Sequence, residues 1–340
     1  MKIGLVDDGH LIPLPLGESL ERARVAAQAR ETRTAKRSTR KVPDDLAPVM
    51  ATPLAPEVLG DEPVDVGYAA RLFAQLSLPY RDPGPSLPEW VRRNGTLELV
   101  VHPGRTMDRK TGKTIRAYPY GVLPRVLVTW MATEAVQTKD RVLVLGGSLS
   151  EFLRALGLVP RGGTRGDIGR LRDQMNRTLS ATMVVSDQRP TSDRIGTFTF
   201  ADECQLWWSD RFPSEEPLWR STITLSERFF ESIVSAPVPV DLLALRALRG
   251  SALRLDLYTW LTYRLSYLRQ PTTVPWASLE AQFGSGYGAT RLFKREFLEQ
   301  LAAVRAVYPE AKVEPTEAGL MLRPSPPHVP ARRLKRGPTP

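Results

Sequence analysis

Apolar positions fall into two blocks that share one order of elements. In the first, residues 121–137 are apolar on nearly every side and predict a buried helix, with Pro124 near its start, where proline is tolerated. Residues 141–145 predict a short strand. Ser148 with Glu151 three positions on forms a capping box for a helix over 152–156 that stops at Gly157. A turn through Pro160, Gly162 and Gly163 leads to Thr164, an N-cap for a helix with Ile168, Leu171, Met175 and Leu179 on one face. Two β-rich runs follow, 181–186 and 197–200, joined by a polar turn with Arg189, Pro190, Asp193 and Arg194. This order predicts a helix-turn-helix with a β-hairpin wing.

The second block repeats it. A long helix over 251–269, a short strand over 272–274 and a helix over 275–283 precede a glycine turn at Gly284, Gly286 and Gly288. A helix over 290–304 and a hairpin from 311–314 and 319–322 complete the block. Thr129–Trp130 and Thr259–Trp260 fall at the same place in each copy. An offset of about 130 residues is too long for a solenoid and points to two related tandem domains.

Around these blocks the pattern predicts a helix over 65–77, a strand over 96–101 and a basic turn over 105–113. It also predicts a strand over 218–225, a capped helix over 226–234 and a short helix over 240–248. Prolines at 43, 48, 53, 56 and 63 mark a linker. The expected class is α+β: two tandem winged-helix domains with a flexible basic N-terminal arm. Residues 1–63 are the arm and linker, 64–215 the first domain, 216–325 the second, and 326–340 a basic tail.

Charge adds a partner class. The chain of 340 residues has a formal net charge of +10. Within residues 22–41, Arg22, Arg24, Arg30, Arg33, Lys36, Arg37, Arg40 and Lys41 stand against Glu31 alone, and Arg332, Arg333, Lys335 and Arg336 crowd the tail. Such tails ride on phosphates without reading sequence. Any specific nucleic-acid surface on the nearly balanced remainder must be local.

Several chemistries are missing. Cys204 stands alone, which excludes an internal disulfide and a multi-cysteine metal site. His10, His102 and His328 share no local spacing, and the His-hydrophobic-His pair of nicking enzymes is absent. Gly112–Lys113–Thr114 has the end of a phosphate loop, but Met107 stands where its first glycine is needed. No apolar run is long enough to span a membrane, and Asp7 and Asp8 break any signal peptide. The expectation is a non-enzyme without cofactor or metal in the bacterial cytoplasm.

One chemistry is present. On the helix after Thr164, Arg165, Gly169, Arg172 and Asn176 run beside the apolar stripe at helical spacing. Arginine donates two bonds to guanine, and asparagine pairs with adenine. Gly169 lacks a side chain where DNA would approach closely. Arg161 in the preceding turn, and Arg189 and Arg194 at the wing tip, suit phosphates or a minor groove. In the second block Thr290, Arg291, Lys294 and Arg295 face away from the stripe of Phe293, Phe297, Leu301 and Val304, and Tyr287 precedes them. These thirteen residues form the expected DNA-binding set. An ordinary solvated face with local salt bridges is the plainer reading of each helix; their place in a helix-turn-helix favours DNA.

Longer motifs carry a resemblance. They are Tyr118-Pro-Tyr-Gly-Val-Leu-Pro-Arg125, Thr133-Glu-Ala-Val136, Ser148-Leu-Ser-Glu-Phe152 and Arg170-Leu-Arg-Asp-Gln-Met175. Pro237-Val-Pro-Val-Asp241, Leu245-Arg-Ala-Leu-Arg249 and Asp256-Leu-Tyr-Thr-Trp-Leu-Thr-Tyr-Arg-Leu-Ser-Tyr-Leu268 follow, then Val274-Pro-Trp276, Gln282-Phe-Gly284 and Arg323-Pro-Ser-Pro-Pro-His-Val329. Over roughly residues 115–330 the chain resembles the plasmid-encoded RepA replication initiators. The resemblance implies binding to repeated double-stranded sites (iterons) at a plasmid origin, and opening of adjacent A·T-rich DNA. It also implies recruitment of the host initiator and replicative helicase. A homodimer that represses its own promoter fits it too. The alternatives are a winged-helix repressor without initiator activity, an enzyme, and a nonspecific coating protein working through its tails.

Overall fold

The computed structural model describes residues 65–107, 112–146, 148–159, 167–207, 221–284 and 290–329. All belong to the unit spanning Pro53–Pro340. The chain enters it through β1 (Val66–Ala70), α1 (Arg71–Gln75), β2 (Trp90–Asn94), β3 (Leu97–His102), β4 (Gly104–Met107) and β5 (Thr114–Ala117). The first block follows as α2 (Val122–Thr138), β6 (Val142–Val144), α3 (Leu149–Ala155), α4 (Asp167–Ser180), β7 (Thr182–Arg189), β8 (Ser192–Thr199), β9 (Ala201–Gln205) and β10 (Thr222–Leu225). Next come α5 (Glu227–Ser235), β11 (Pro237–Asp241) and α6 (Leu242–Leu248). The second block is α7 (Ala252–Tyr267), β12 (Thr272–Pro275), α8 (Trp276–Phe283), α9 (Thr290–Val307), β13 (Val313–Pro315) and β14 (Gly319–Leu322). The class is mixed: helices with several small antiparallel sheets.

The caps predicted at Ser148 and Ser226 are formed. The Ser148 hydroxyl accepts from the Glu151 N–H at 3.2 Å, and the Ser226 hydroxyl accepts from the Phe229 N–H at 3.4 Å. Each satisfies one orphan donor of a first turn.

Four expectations need correction. The helix over 65–77 begins instead as β1, which pairs antiparallel with β11, Val66 opposite Asp241 and Ala70 opposite Pro237. Gly67 permits this: a Cβ there would lie 2.4 Å from Leu242 Cδ2. The helix over 240–248 likewise starts as a strand, whose Asp241 carboxylate then caps α6 by accepting from the Leu243 N–H at 2.8 Å. Residues 105–107 of the expected basic turn lie instead in β4, which pairs antiparallel with β5. Finally, β7 and β8 are not a free two-stranded wing. They extend a four-stranded sheet in the order β2–β3–β7–β8.

The strand that follows the first helix of each block pairs elsewhere. The sheets run β6–β10–β9 and β12–β14–β13: first strand, last strand, then the one before the last. The two blocks share this topology, with β7–β8 as an insertion in the first.

Two hydrophobic clusters form. The first joins Leu127 and Met131 of α2, Phe152 of α3, Leu171 and Met175 of α4, and Phe200. It also takes Ile223, Leu225, Phe229 and Ile233, which lie beyond the expected boundary at 216. The second joins Leu257 and Leu261 of α7, Leu279 and Phe283 of α8, Phe293 and Phe297 of α9, and Leu320 and Leu322 of β14. Ala69 and Ala74 from the N-terminal end belong to it.

Candidate nucleic-acid interface

Helix α4 turns its apolar stripe inward. Ile168, Leu171 and Met175 are buried in the first cluster, and Gln174 and Thr178 are buried beside them. The Tyr120 N–H donates to the Gln174 side-chain oxygen Oε1 at 3.0 Å, which ties the helix to the segment before α2. The opposite face carries Gly169, Arg170, Arg172 and Asn176. Asn176 is exposed and Arg172 is half-buried. Arg170 pairs with Asp167 at 3.3 Å while its side chain stays mostly in solvent. A Cβ on Gly169 would meet nothing within 4 Å. Among the described residues, this glycine therefore answers no packing need. Arg161, Thr164 and Arg165 lie outside the described residues, as does the turn through Gly162 and Gly163.

Arg177 on the same helix has a structural role. It pairs with Asp82 at 3.0 Å and with Asp173 at 2.8 Å, and its guanidinium lies 5.3 Å from the Tyr120 ring centre. Its other neighbour is the Tyr118 carbonyl, which accepts at 3.4 Å.

The hairpin tip is less basic than its sequence suggests. Arg189 pairs with Asp187 at 2.7 Å. Arg194 stands directly opposite Asp187 across the ladder. A hydrogen bond from the Thr96 hydroxyl at 2.7 Å, with Arg189, holds the Asp187 carboxyl below the usual carboxylate range. Both arginines remain exposed, and Ile195 beside them is 72% exposed.

Helix α9 buries Phe293, Phe297, Leu301 and Val304. Its outward set divides into two pairs. The Thr290 hydroxyl donates to Glu280 at 2.7 Å, and Lys294 Nζ sits 4.7 Å from the Trp276 ring centre. These two hold α9 against α8. Arg291 and Arg295, one turn apart, are exposed. Tyr287 lies outside the described residues.

Sequence patterning missed the charges that join the two clusters. Arg125 on α2 faces Asp256 on α7 with Nε–Oδ1 2.7 Å and Nη2–Oδ2 2.8 Å, and both side chains are under one-tenth exposed. Arg125 also donates to the carbonyls of Leu78, Pro79 and Gly121. From β2, the buried Arg92 donates to the carbonyls of Gly284 and Ala281 at the end of α8. Its guanidinium lies 4.8 Å from the Trp90 ring centre, and burial lowers its pKa. A signal existed: Arg125 and Asp256 are buried charges within largely apolar helices, where a charge survives only when paired.

Among the described residues, no group of His, Cys, Asp or Glu side chains is placed to hold a metal. No described helix is long and apolar enough to cross a membrane. Burial pushes the Cys204 thiol up to about 11. It is a packing residue in β9 and not an activated nucleophile.

Residues 118–277 match the family described as plasmid encoded RepA protein. This stretch is similar to the plasmid-encoded RepA family. The RepA match begins at the buried Tyr118, takes in α2 to β12, and ends inside α8. It includes α4 and both partners of the Arg125–Asp256 pair, while α9 lies beyond it. A solved structure, "Crystal structure of SeMet derivatives of domain2 and domain 3 of RctB", is similar at 14% identity and a TM-score of 0.43, over 72% of this chain and 85% of that one. No curated protein matches the chain.

Proposed function

We propose that this chain is a plasmid replication initiator that binds repeated double-stranded sites at its origin through two winged-helix units. The observation that carries this is the repeated topology. Each block runs helix, strand, helix, helix, and each closes with a sheet of the same order, β6–β10–β9 and β12–β14–β13. In both, the third helix buries an apolar stripe and presents polar and basic side chains to solvent. That is how a recognition helix is mounted for the major groove. The match of residues 118–277 to the RepA family supports the initiator role.

In this reading the first unit ends after α5, since Ile223 to Ile233 pack in its core, and β11 opens the second. Phosphate contacts from Arg161, Arg189, Arg194 and Tyr287 position the units. Base contacts from Arg165, Arg172, Asn176, Arg291 and Arg295 specify sequence. Thr164 starts the first recognition helix, and Gly169 lets the duplex come close. Arg291 and Arg295 are the best placed of the second set, because Thr290 and Lys294 are engaged within the fold.

Two rigidly joined reading helices occupy successive major grooves on one side of the duplex, about 34 Å apart. Bending of the bound site then favours opening of the neighbouring A·T-rich DNA, and host initiator and helicase load there. Dimerisation through the first unit supplies autorepression. Hydroxyl-radical footprinting on one repeat tests the arrangement. Two protected patches one turn apart support it, and a single protected half-site overturns it.

A further inference from the structure

A cavity of about 340 Å3 lies between the two clusters. This is within the roughly 300–1,000 Å3 range of small-molecule sites. Its walls are largely apolar: Phe73 of α1, Thr129 and Trp130 of α2, Leu156 after α3, and Leu245 of α6. Three arginines also reach it, and their pairing differs. Arg125 is taken up by Asp256, and Arg246 lies 3.6 Å from Asp65. Arg249 Nη1 is buried with no hydrogen-bond partner among the described residues. A buried guanidinium N–H without an acceptor is costly, and native structures seldom leave one without reason.

The backbone makes room for this arginine. Gly157 sits at φ +67°, and a Cβ there would lie 3.2 Å from both Arg246 Cγ and Arg249 Nη1. Glu134 also lines the cavity, and burial raises its pKa, which makes its charge easier to give up. The space thus combines an apolar body with one unanswered cationic donor.

We propose that this cavity binds a small amphipathic carboxylate, whose head accepts from Arg249 and whose apolar body lies against Trp130, Phe73 and Leu245. A guanidinium fork suits a planar carboxylate. At roughly 30 Å3 per water-sized group, the space holds roughly ten heavy atoms, the size of octanoate. The site is independent of the DNA reading and is tested on the full chain without DNA.

The experiment titrates butanoate, hexanoate, octanoate and neutral octanol into the protein, following tryptophan fluorescence and using Trp130→Phe to assign the signal. Octanoate gives a saturable change, with affinity rising about fourfold per added methylene along the series. Arg249→Met weakens octanoate tenfold or more and leaves octanol unchanged. Thr129→Phe, which fills the space, removes binding; circular dichroism checks that it folds, and Arg249→Met decides the matter if it does not. No saturable signal, equal octanoate affinity in wild type and Arg249→Met, or binding that survives in folded Thr129→Phe overturns the proposal.

Discussion

Arg125 and Asp256 face each other across α2 and α7 as a two-point ion pair, with Nε–Oδ1 2.7 Å and Nη2–Oδ2 2.8 Å, in an interior from which water is nearly excluded. They lie 131 residues apart in sequence and tie the first hydrophobic cluster to the second. The Tyr80 ring lies 4.9 Å from the guanidinium, and burial raises the Tyr80 pKa far above that of a free phenol. The pair is what a single long interface between the blocks would need in order to hold one register.

Breaking it from one side is costly. Arg125→Met leaves a buried carboxylate unpaired and removes donors from three carbonyls, and is expected to lose about 3–5 kcal/mol in urea denaturation. Arg125→Met with Asp256→Leu recovers part of that loss, since removing both charges spares the desolvation cost. A single variant as stable as wild type contradicts the assignment.

Gly169→Ala separates fold from function. The added methyl meets no atom of the described residues within 4 Å, so α4 is expected to gain about 0.5–1 kcal/mol from helix propensity. Binding to a repeat is expected to weaken all the same, because the methyl stands where the duplex approaches. Thermal melting and a gel shift on the same sample check both halves. Unchanged affinity removes Gly169 from the interface.

The exposed pair on α9 gives a different signature. Arg291→Ala and Arg295→Ala leave the melting temperature unchanged. If they read bases, each costs about 1–3 kcal/mol on the cognate repeat and little on random DNA. A uniform loss on both DNAs, with the salt slope reduced by about 1, assigns them to phosphates instead. Thr290→Ala does the opposite, lowering stability through its lost hydrogen bond to Glu280.

His328 sets a pH dependence. The Asp241 N–H donates to the Tyr258 hydroxyl at 2.9 Å, and that hydroxyl lies within hydrogen-bond reach of His328 Nδ1 at 2.7 Å. Burial lowers the His328 pKa, against opposing pulls from Asp241 and Glu310. The Tyr308 ring lies 4.6 Å away, and its hydroxyl is pushed up to about 12 by burial. A His pKa lower in the folded than in the unfolded chain means the unfolded chain binds more protons between the two values. The contribution is full above about pH 6.5 and is lost as pH falls through the folded value. His328→Phe is expected to flatten the urea midpoint between about pH 7 and 5; an unchanged slope contradicts this.

Much of the fold was legible where local pattern decides it. The stripes of α4 and α9 and the caps at Ser148 and Ser226 follow from spacing within one turn. The expectation failed where partners are distant. Val66-Gly-Tyr-Ala-Ala merges smoothly into a helical sequence, and only pairing with Pro237–Asp241 makes it a strand. The β7–β8 hairpin looked like a wing because β3, which pairs with β7 some 90 residues earlier in the chain, leaves no mark on it. Within the site, the outward residues of α9 were identified, but Glu280 and Trp276, which engage Thr290 and Lys294, lie on a neighbouring helix that periodicity cannot see.

The central claim is specific binding by two reading helices. It is tested most directly by gel shift on the DNA upstream of its own gene, with and without the repeats, at two salt concentrations. The account predicts tight binding that depends on the repeats, survives competitor DNA, and persists when residues 1–41 and 331–340 are deleted. Binding that ignores the repeats and falls about a thousandfold between roughly 50 and 200 mM salt would contradict it, and would make phosphate contacts from the basic tails the working surface.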